Sequence, residues 1–211
     1  MNKDIERLIK VILLKSDLTS IDKMLQSPIE KDMLKILLIK NIFLTISNFV
    51  DFELTMRSLY QEFPELSKIY KRADQQFQFA KYIRNKFIGH IKEELIQKAI
   101  EWRPELKYLL SKDKNENIDY LYNLFILETV INTYVDNDGK HKIFDSDTDL
   151  VYPHDINRFL EYLYFIVQSA IEFLNELYKI LEIKIDMKKL ETFDIEDWIK
   201  AGKTDFQFIR K

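Results

Sequence analysis

Residues 33–50 read "MLKILLIKNIFLTISNFV", the most apolar stretch of a 211-residue chain. A run of this length approaches what a bilayer-spanning helix needs, so its reading decides the fold. Lys35, Lys40 and Asn41 interrupt it. Two ammonium groups and an amide are costly in hydrocarbon but are tolerated at the rim of a protein core, where long side chains reach water. The stretch is therefore expected to be a buried helix, spanning about 29–62 and apolar on most faces, hence central to a bundle.

The rest of the chain divides around it at its four prolines. "SPIE" at 27–30 has the form of a helix start, with Ser27 as N-cap, Pro28 in the first turn and Glu30 closing a capping box. Before it lies an amphipathic helix over about 3–26. Pro64 opens a third helix expected to run unbroken to about Arg103, and Pro104 ends it. "ELKYLLSKDKNEN" reads as a short helix and a polar turn, and 118–135 as another helix, turning extended at its aromatic end. Residues 135–154 are the one irregular region, where Asp138-Gly139 between "NTYV" and "KHKIF" suggests a small β-hairpin. A helix over about 155–182 carries Ile156, Phe159, Leu160, Leu163, Ile166, Ala170, Leu174, Leu177 and Leu181 on one stripe. The expectation is an all-α bundle of about five helices over 1–184, with long central helices and one small hairpin or loop excursion. A C-terminal tail, 185–211, carries a short helix near "DIEDWIK".

Composition narrows the function. There is no cysteine, so disulfides, thiolate metal sites and a cysteine nucleophile are excluded, and three histidines leave little material for a metal site. No cofactor is expected. With 35 acidic and 32 basic residues, the net charge of −3 does not mark a whole-molecule nucleic-acid binder. The first residues, "MNKDIERLIK", carry acids and no continuous apolar core, so a signal peptide is not expected and the location is expected to be cytoplasmic, with no membrane association.

One segment resists this structural reading: "KYIRNKFIGHIKEEL", residues 81–95. On an unbroken helix Ile69, Ala73, Phe77, Ala80, Phe87, Ile91 and Leu95 form a core stripe, and Arg84 falls near its centre. A guanidinium buried without partners costs several kcal/mol, so Arg84 must be paired, face a cavity or face an interface. His90 lies six residues on, roughly 120° around and about 9 Å along a regular helix, so the two side chains would not converge. Gly89 is the residue able to loosen the helix between them. The alternative is that two copies of the segment meet across a dimer.

"RNKFIGH", residues 84–90, resembles the signature of the HEPN superfamily: an arginine, a polar residue, and a histidine four to six residues after the arginine. The resemblance covers Arg84, Asn85 and His90. It implies a helical bundle, commonly a homodimer, of a class that includes metal-independent ribonucleases of toxin–antitoxin and phage-defence systems. Carried over, His90 is the general acid/base for attack of a ribose 2′-OH on the adjacent phosphate. Arg84 steadies the charge on the phosphoryl oxygens, and Asn85 binds the phosphate or orients the histidine. RNA, a second copy of the chain and an antitoxin protein are the partners it implies. The other outcome is a catalytically silent helical dimer that binds a partner protein or a nucleotide.

Independently of the resemblance, residues 68–92 hold seven basic residues and a single acid, Asp74. Phosphate backbones respond to such local clusters whatever the global charge, and Lys81, Lys86 and Lys92 are the RNA-binding candidates. "DSDTDL" from Asp145 has carboxylates at the first three odd positions of a calcium loop. It lacks the glycine at position 6 and has Ile156 at position 12, so it is read as a polar loop. His141 and His154 are too poorly flanked to be ligands, and no metal site is expected.

Overall fold

A computed structural model describes residues 3–113, 115–185 and 195–207. The protein is all-helical, and no strand forms among the described residues. Helices α1 (Lys3–Leu25) and α2 (Asp32–Leu54) lead into a 3-10 turn (Arg57–Gln61). They are followed by α3 (Pro64–Lys71), α4 (Asp74–Ile83), a π turn (Arg84–Ile88), α5 (Glu93–Trp102), α6 (Glu105–Leu109), α7 (Glu116–Asn132), α8 (Pro153–Lys184) and α9 (Ile195–Ala201). The described residues thus hold nine α-helices where about five were expected.

The apolar stretch forms α2, and α2 is the centre. It packs against α1, α4, α7, α8 and the π turn. Ile36, Ile39, Ile42, Phe43, Ile46, Phe49 and Val50 are all buried. Phe49 is the hub of an aromatic cluster, edge-on to Phe77 of α4 at 5.2 Å and to Phe173 of α8 at 5.4 Å between ring centroids. Among the described residues α2 is the one helix long and apolar enough to cross a membrane, and 56% of its apolar window is buried inside the bundle.

Two helix boundaries differ from expectation. The capping box at 27–30 does not form. Ser27 Oγ instead donates back to the Lys23 carbonyl at 2.9 Å, and α2 starts at Asp32 after an N-cap residue, Lys31, that gives no side-chain bond. The chain must reverse between α1 and α2, and residues 26–31 with Pro28 are used for that reversal. The single helix expected over 64–103 is three helices and a π turn. Ala73, with φ −124°, breaks it between α3 and α4, so Tyr70 and Phe77 can both turn inward and pack at 5.3 Å.

The long α8 lies antiparallel along α1: Gln168 donates to Asp22 at 2.5 Å, and Lys15 lies 5.1 Å over the Tyr178 ring. Its expected stripe is buried at Phe159, Leu163, Ile166, Ala170, Leu174, Leu177 and Leu181, while Leu160 is exposed. α8 ends at Lys184. Of the segment beyond, α9 is described, and residues 186–194 and 208–211 lie outside the described residues.

The hairpin expected after α7 shrinks to one antiparallel bridge, Val135 with His141, closed by Gly139 at φ +78°. What holds this excursion is His141. Its Nδ1 accepts the backbone N–H of Ile143 at 3.0 Å and of Phe144 at 2.8 Å. The remaining ring proton therefore sits on Nε2, 2.9 Å from the Ile131 carbonyl. The ring stacks on Phe144 and meets the edge of Phe79. Beyond it, Asn132 bonds both backbone groups of Thr148. Glu128, fully buried, accepts from Arg103 and from the Leu150 N–H. Arg103 also reaches Asp149 at 3.4 Å, so one guanidinium ties α5, α7 and the excursion together.

Two expected outcomes follow from these anchors. Burial holds the His141 imidazole below its ordinary value of 6.5, outweighing the bond to Ile131, so the neutral form belongs to the folded state. The unfolded chain takes up this proton first, so the contribution to stability is full above pH 6.5 and falls away as the pH drops below it. His141→Ala should therefore flatten the decline in urea midpoint between about pH 7 and pH 5. Burial also pushes the Glu128 carboxyl up from its usual range, against the pull of Arg103 and the Leu150 N–H. Arg103→Met should cost about 3–5 kcal/mol by denaturant unfolding, because it leaves that carboxyl without its cation.

Candidate functional site

The segment singled out in the sequence is where the helix opens. α4 is regular to Ile83. The next turn closes with wider rings: the Gly89 N–H donates to the Arg84 carbonyl at 2.7 Å, and the Lys92 N–H to the Lys86 carbonyl at 3.2 Å. Residues 89–92 are not helical, and α5 begins at Glu93. Such π turns are costly and are found disproportionately at functional sites. Phe87 is buried here and forms the underside, with Lys40 of α2 lying 4.8 Å over its ring while donating to Asn123 of α7 at 2.5 Å. Burial lowers the Lys40 ammonium from its usual range.

Arg84 is half-buried on this turn. One terminal nitrogen donates to Asn85 Oδ1 at 3.0 Å, and its Nε is buried with no hydrogen-bond partner. A Cβ added to Gly89 would stand 3.2 Å from the guanidinium carbon and 3.3 Å from the Arg84 carbonyl, so the glycine is what lets the head group lie against the backbone. The described residues include six arginines. Five are paired with a carboxylate: Arg7 with Asp4, Arg57 with Glu53, Arg72 with Glu172, Arg103 with Glu128 and Arg158 with Asp155. Arg7 and Arg158 also have an unbonded Nε, but their other nitrogens hold an anion. Arg84 holds only the neutral Asn85.

His90 follows Gly89 directly and is exposed, as is Asn85. The structure thus brings Arg84, Asn85 and Gly89 into contact and places His90 on the open rim one residue beyond. Ile91, expected on the buried stripe, is 63% exposed, because the regular helix on which that stripe was drawn ends before it.

The three candidate lysines are treated differently by the fold. Lys81 is bound to Asp51 of α2 at 2.5 Å, so its charge is met within the chain. Lys86 lies near the Tyr82 ring, 5.9 Å from its centroid. Lys86 and Lys92 line a small surface cleft of about 200 Å³ together with Tyr82, Glu94, Leu95, Lys98 and Thr133, and neither Arg84 nor His90 is part of that lining. The sequence reading missed Tyr82, Lys98 and Thr133. Tyr82 was legible as one helical turn before Lys86, but Thr133 reaches the cleft from the residue that caps the end of α7 and leaves no local signal. Among the described residues no three histidines or carboxylates gather as a metal-holding group.

Comparison with protein-family models, with curated proteins and with solved structures gave no match.

Gly89→Ala should displace the Arg84 head group, the end of a flexible side chain, and press on the Arg84 backbone carbonyl as well, while leaving the bundle folded. The expected result is a shifted and faster-exchanging Arg84 Nε–H resonance in NMR spectra, with thermal unfolding changed by roughly 1 kcal/mol or less.

Proposed function

We propose that the protein is an endoribonuclease of HEPN type, acting without a metal ion, with Arg84, Asn85 and His90 as its site. The observation that carries this reading is Arg84: the one described arginine without a carboxylate, held on a π turn beside an exposed histidine. An arginine evolved only for packing would be expected to have an anion from its own chain, as the other five do. Its unmet charge suits an anion from outside, and the planar fork of donors suits phosphate.

The chemistry assigned to these residues is transesterification. His90 removes the proton from a ribose 2′-OH, whose oxygen attacks the adjacent phosphorus. The bond from phosphorus to the 5′ oxygen of the next nucleotide breaks, and that oxygen takes up a proton. The products are a 2′,3′-cyclic phosphate and a 5′-hydroxyl. Arg84 offsets the charge that builds on the non-bridging oxygens, and Asn85 fixes the guanidinium through the bond from its terminal nitrogen. Lys86 and Lys92 extend the positive surface along the strand, whereas Lys81, already bound to Asp51, contributes less. A homodimer, a cytoplasmic location, an antitoxin-type partner protein and a role in toxin or defence systems belong to the same proposal and rest on the resemblance of residues 84–90.

The second reading is a catalytically silent helical dimer that binds a partner protein or nucleotide. It is favoured by one observation: no side chain of the described residues hydrogen-bonds the His90 ring to orient it.

The deciding experiment is incubation of single-stranded RNA with the purified protein in EDTA. Cleavage leaving 2′,3′-cyclic phosphate ends is expected, reduced by about 10²–10⁴ in His90→Ala. Arg84→Lys should lose about 10-fold or more, since a point charge replaces a fork. Cleavage that survives His90→Ala, or no cleavage of any RNA by the folded protein, would transfer the site to the silent reading.

A further inference from the structure

The surface cleft beside the π turn contains one group that a phosphate-binding surface should not have. Its lysines, Lys86, Lys92 and Lys98, suit a nucleic-acid backbone, but Glu94 lines the same cleft. A carboxylate there repels phosphate. The helix dipole favours an acid in the first turn of α5, but Glu93 already meets that preference. Glu94 is exposed and forms no ion pair or hydrogen bond among the described residues. Lys98 stands four residues on, the favoured spacing for a pair with Glu94, yet its ammonium goes to Glu101 at 2.7 Å.

The rest of the cleft is aromatic and apolar. Tyr82 is half-buried and held in place: its hydroxyl donates to Thr133 Oγ1 at 3.0 Å, and the Tyr134 ring packs against it at 4.9 Å between centroids. Leu95, buried, also lines the cleft. A fixed aromatic ring and an apolar side chain favour a flat ring system, and cations around them favour its phosphates. At about 200 Å³ the cleft is below the ~300–1,000 Å³ of sites for drug-sized molecules, so it suits one such ring system and not a paired one.

We propose that this cleft holds one unpaired guanine of the RNA strand, and that Glu94 selects it. That the ligand is RNA rests on the ribonuclease reading; the choice of base rests on the chemistry of the cleft. An unpaired guanine presents two adjacent donors on its Watson–Crick edge, the ring N1–H and the 2-amino group, and one carboxylate accepts both. Adenine and cytosine offer an amino group beside an acceptor nitrogen, and uracil a single N–H between two carbonyls. Each of these sets an acceptor against the second carboxylate oxygen. Lys86, Lys92 and Lys98 then meet the flanking phosphates.

The base held here lies beside the reacting phosphate rather than at it. Lys86 is two residues beyond Arg84, roughly half a turn around the helix, so the cleft and the guanidinium are on opposite flanks. The helix ends between them: residues 89–92 are non-helical, the Lys92 N–H donates to the Lys86 carbonyl at 3.2 Å, and His90 is exposed at that end. A strand with its guanine in the cleft crosses this open end, past His90, to reach Arg84, a distance of about 10 Å set by the helix diameter.

The test is fluorescence anisotropy of labelled short oligouridylates carrying a single central guanosine, inosine or adenosine. They are titrated with the full chain as His90→Ala, which prevents cleavage. The guanosine strand should bind about 10-fold or more tightly than the adenosine strand. Inosine, which keeps the N1–H and lacks the 2-amino group, should fall between them. Glu94→Gln should reduce the guanosine preference to about threefold or less, and leave affinity for plain oligouridylate unchanged or raised, since a negative charge has gone. A purely structural role for Glu94 would not move a preference between bases. Equal affinity for the guanosine and adenosine strands overturns the inference. So does a guanosine preference that survives Glu94→Gln, or failure to bind any strand. If the wild-type protein cleaves RNA and shows no guanine preference, this proposal alone fails. If binding is guanine-selective and the wild-type protein does not cleave, the ribonuclease reading alone fails and the cleft assignment stands.

Discussion

The structure depends on the burial of one helix. α2 is apolar on most of its circumference, and an apolar cylinder in water must be covered from several directions at once. α1, α4, α7, α8 and the π turn do this together. The other helices can be narrower amphipaths, each needing one face against α2 or against a helix that already touches it. The short breaks between α3, α4 and α5 follow from the same demand, because one straight helix of 40 residues would run past α2 rather than around it.

The fold class was legible because it rests on this patterning. The interrupted apolar run, the long stripe of α8 and the proline punctuation all lead to an all-α bundle, and the chain is one. The breaks were less legible. Ala73 leaves the helix although alanine is the best helix former, since tertiary packing of Tyr70 and Phe77 outweighs a local preference of a few tenths of a kcal/mol. Ser27 and Glu30 show the reverse error: a good capping sequence stands where the chain has to turn. The hairpin was inferred from its Asp-Gly turn, and the turn is real, but the pairing stops at one bridge because His141 diverts the backbone N–H groups of Ile143 and Phe144 to its own ring.

At the candidate site the sequence identified the anomaly and misplaced its cause. The helical wheel put Arg84 at the centre of a buried stripe, which assumes a regular helix through Gly89. The helix instead widens at Arg84 and ends, so the arginine is half-buried and Ile91 is in solvent. What no sequence pattern gives is the absence of a carboxylate partner among the described residues. Whether a guanidinium meets a carboxylate depends on residues far away in the chain, as Arg72 with Glu172 and Arg103 with Glu128 show.

That absence has an energetic meaning. Acids are not scarce here: they outnumber the bases, and Asp51 stands close enough to bind Lys81, one turn before Arg84. The fold takes Lys81 to that carboxylate and leaves the arginine with an amide. It also spends a π turn and a glycine to hold the arginine there, each less favourable than continuing the α-helix. Features that cost stability and meet no carboxylate among the described residues motivate the proposal that an external group completes the arrangement. For a half-buried guanidinium whose described hydrogen-bond partner is the neutral Asn85, the proposed reading supplies an anion as that group.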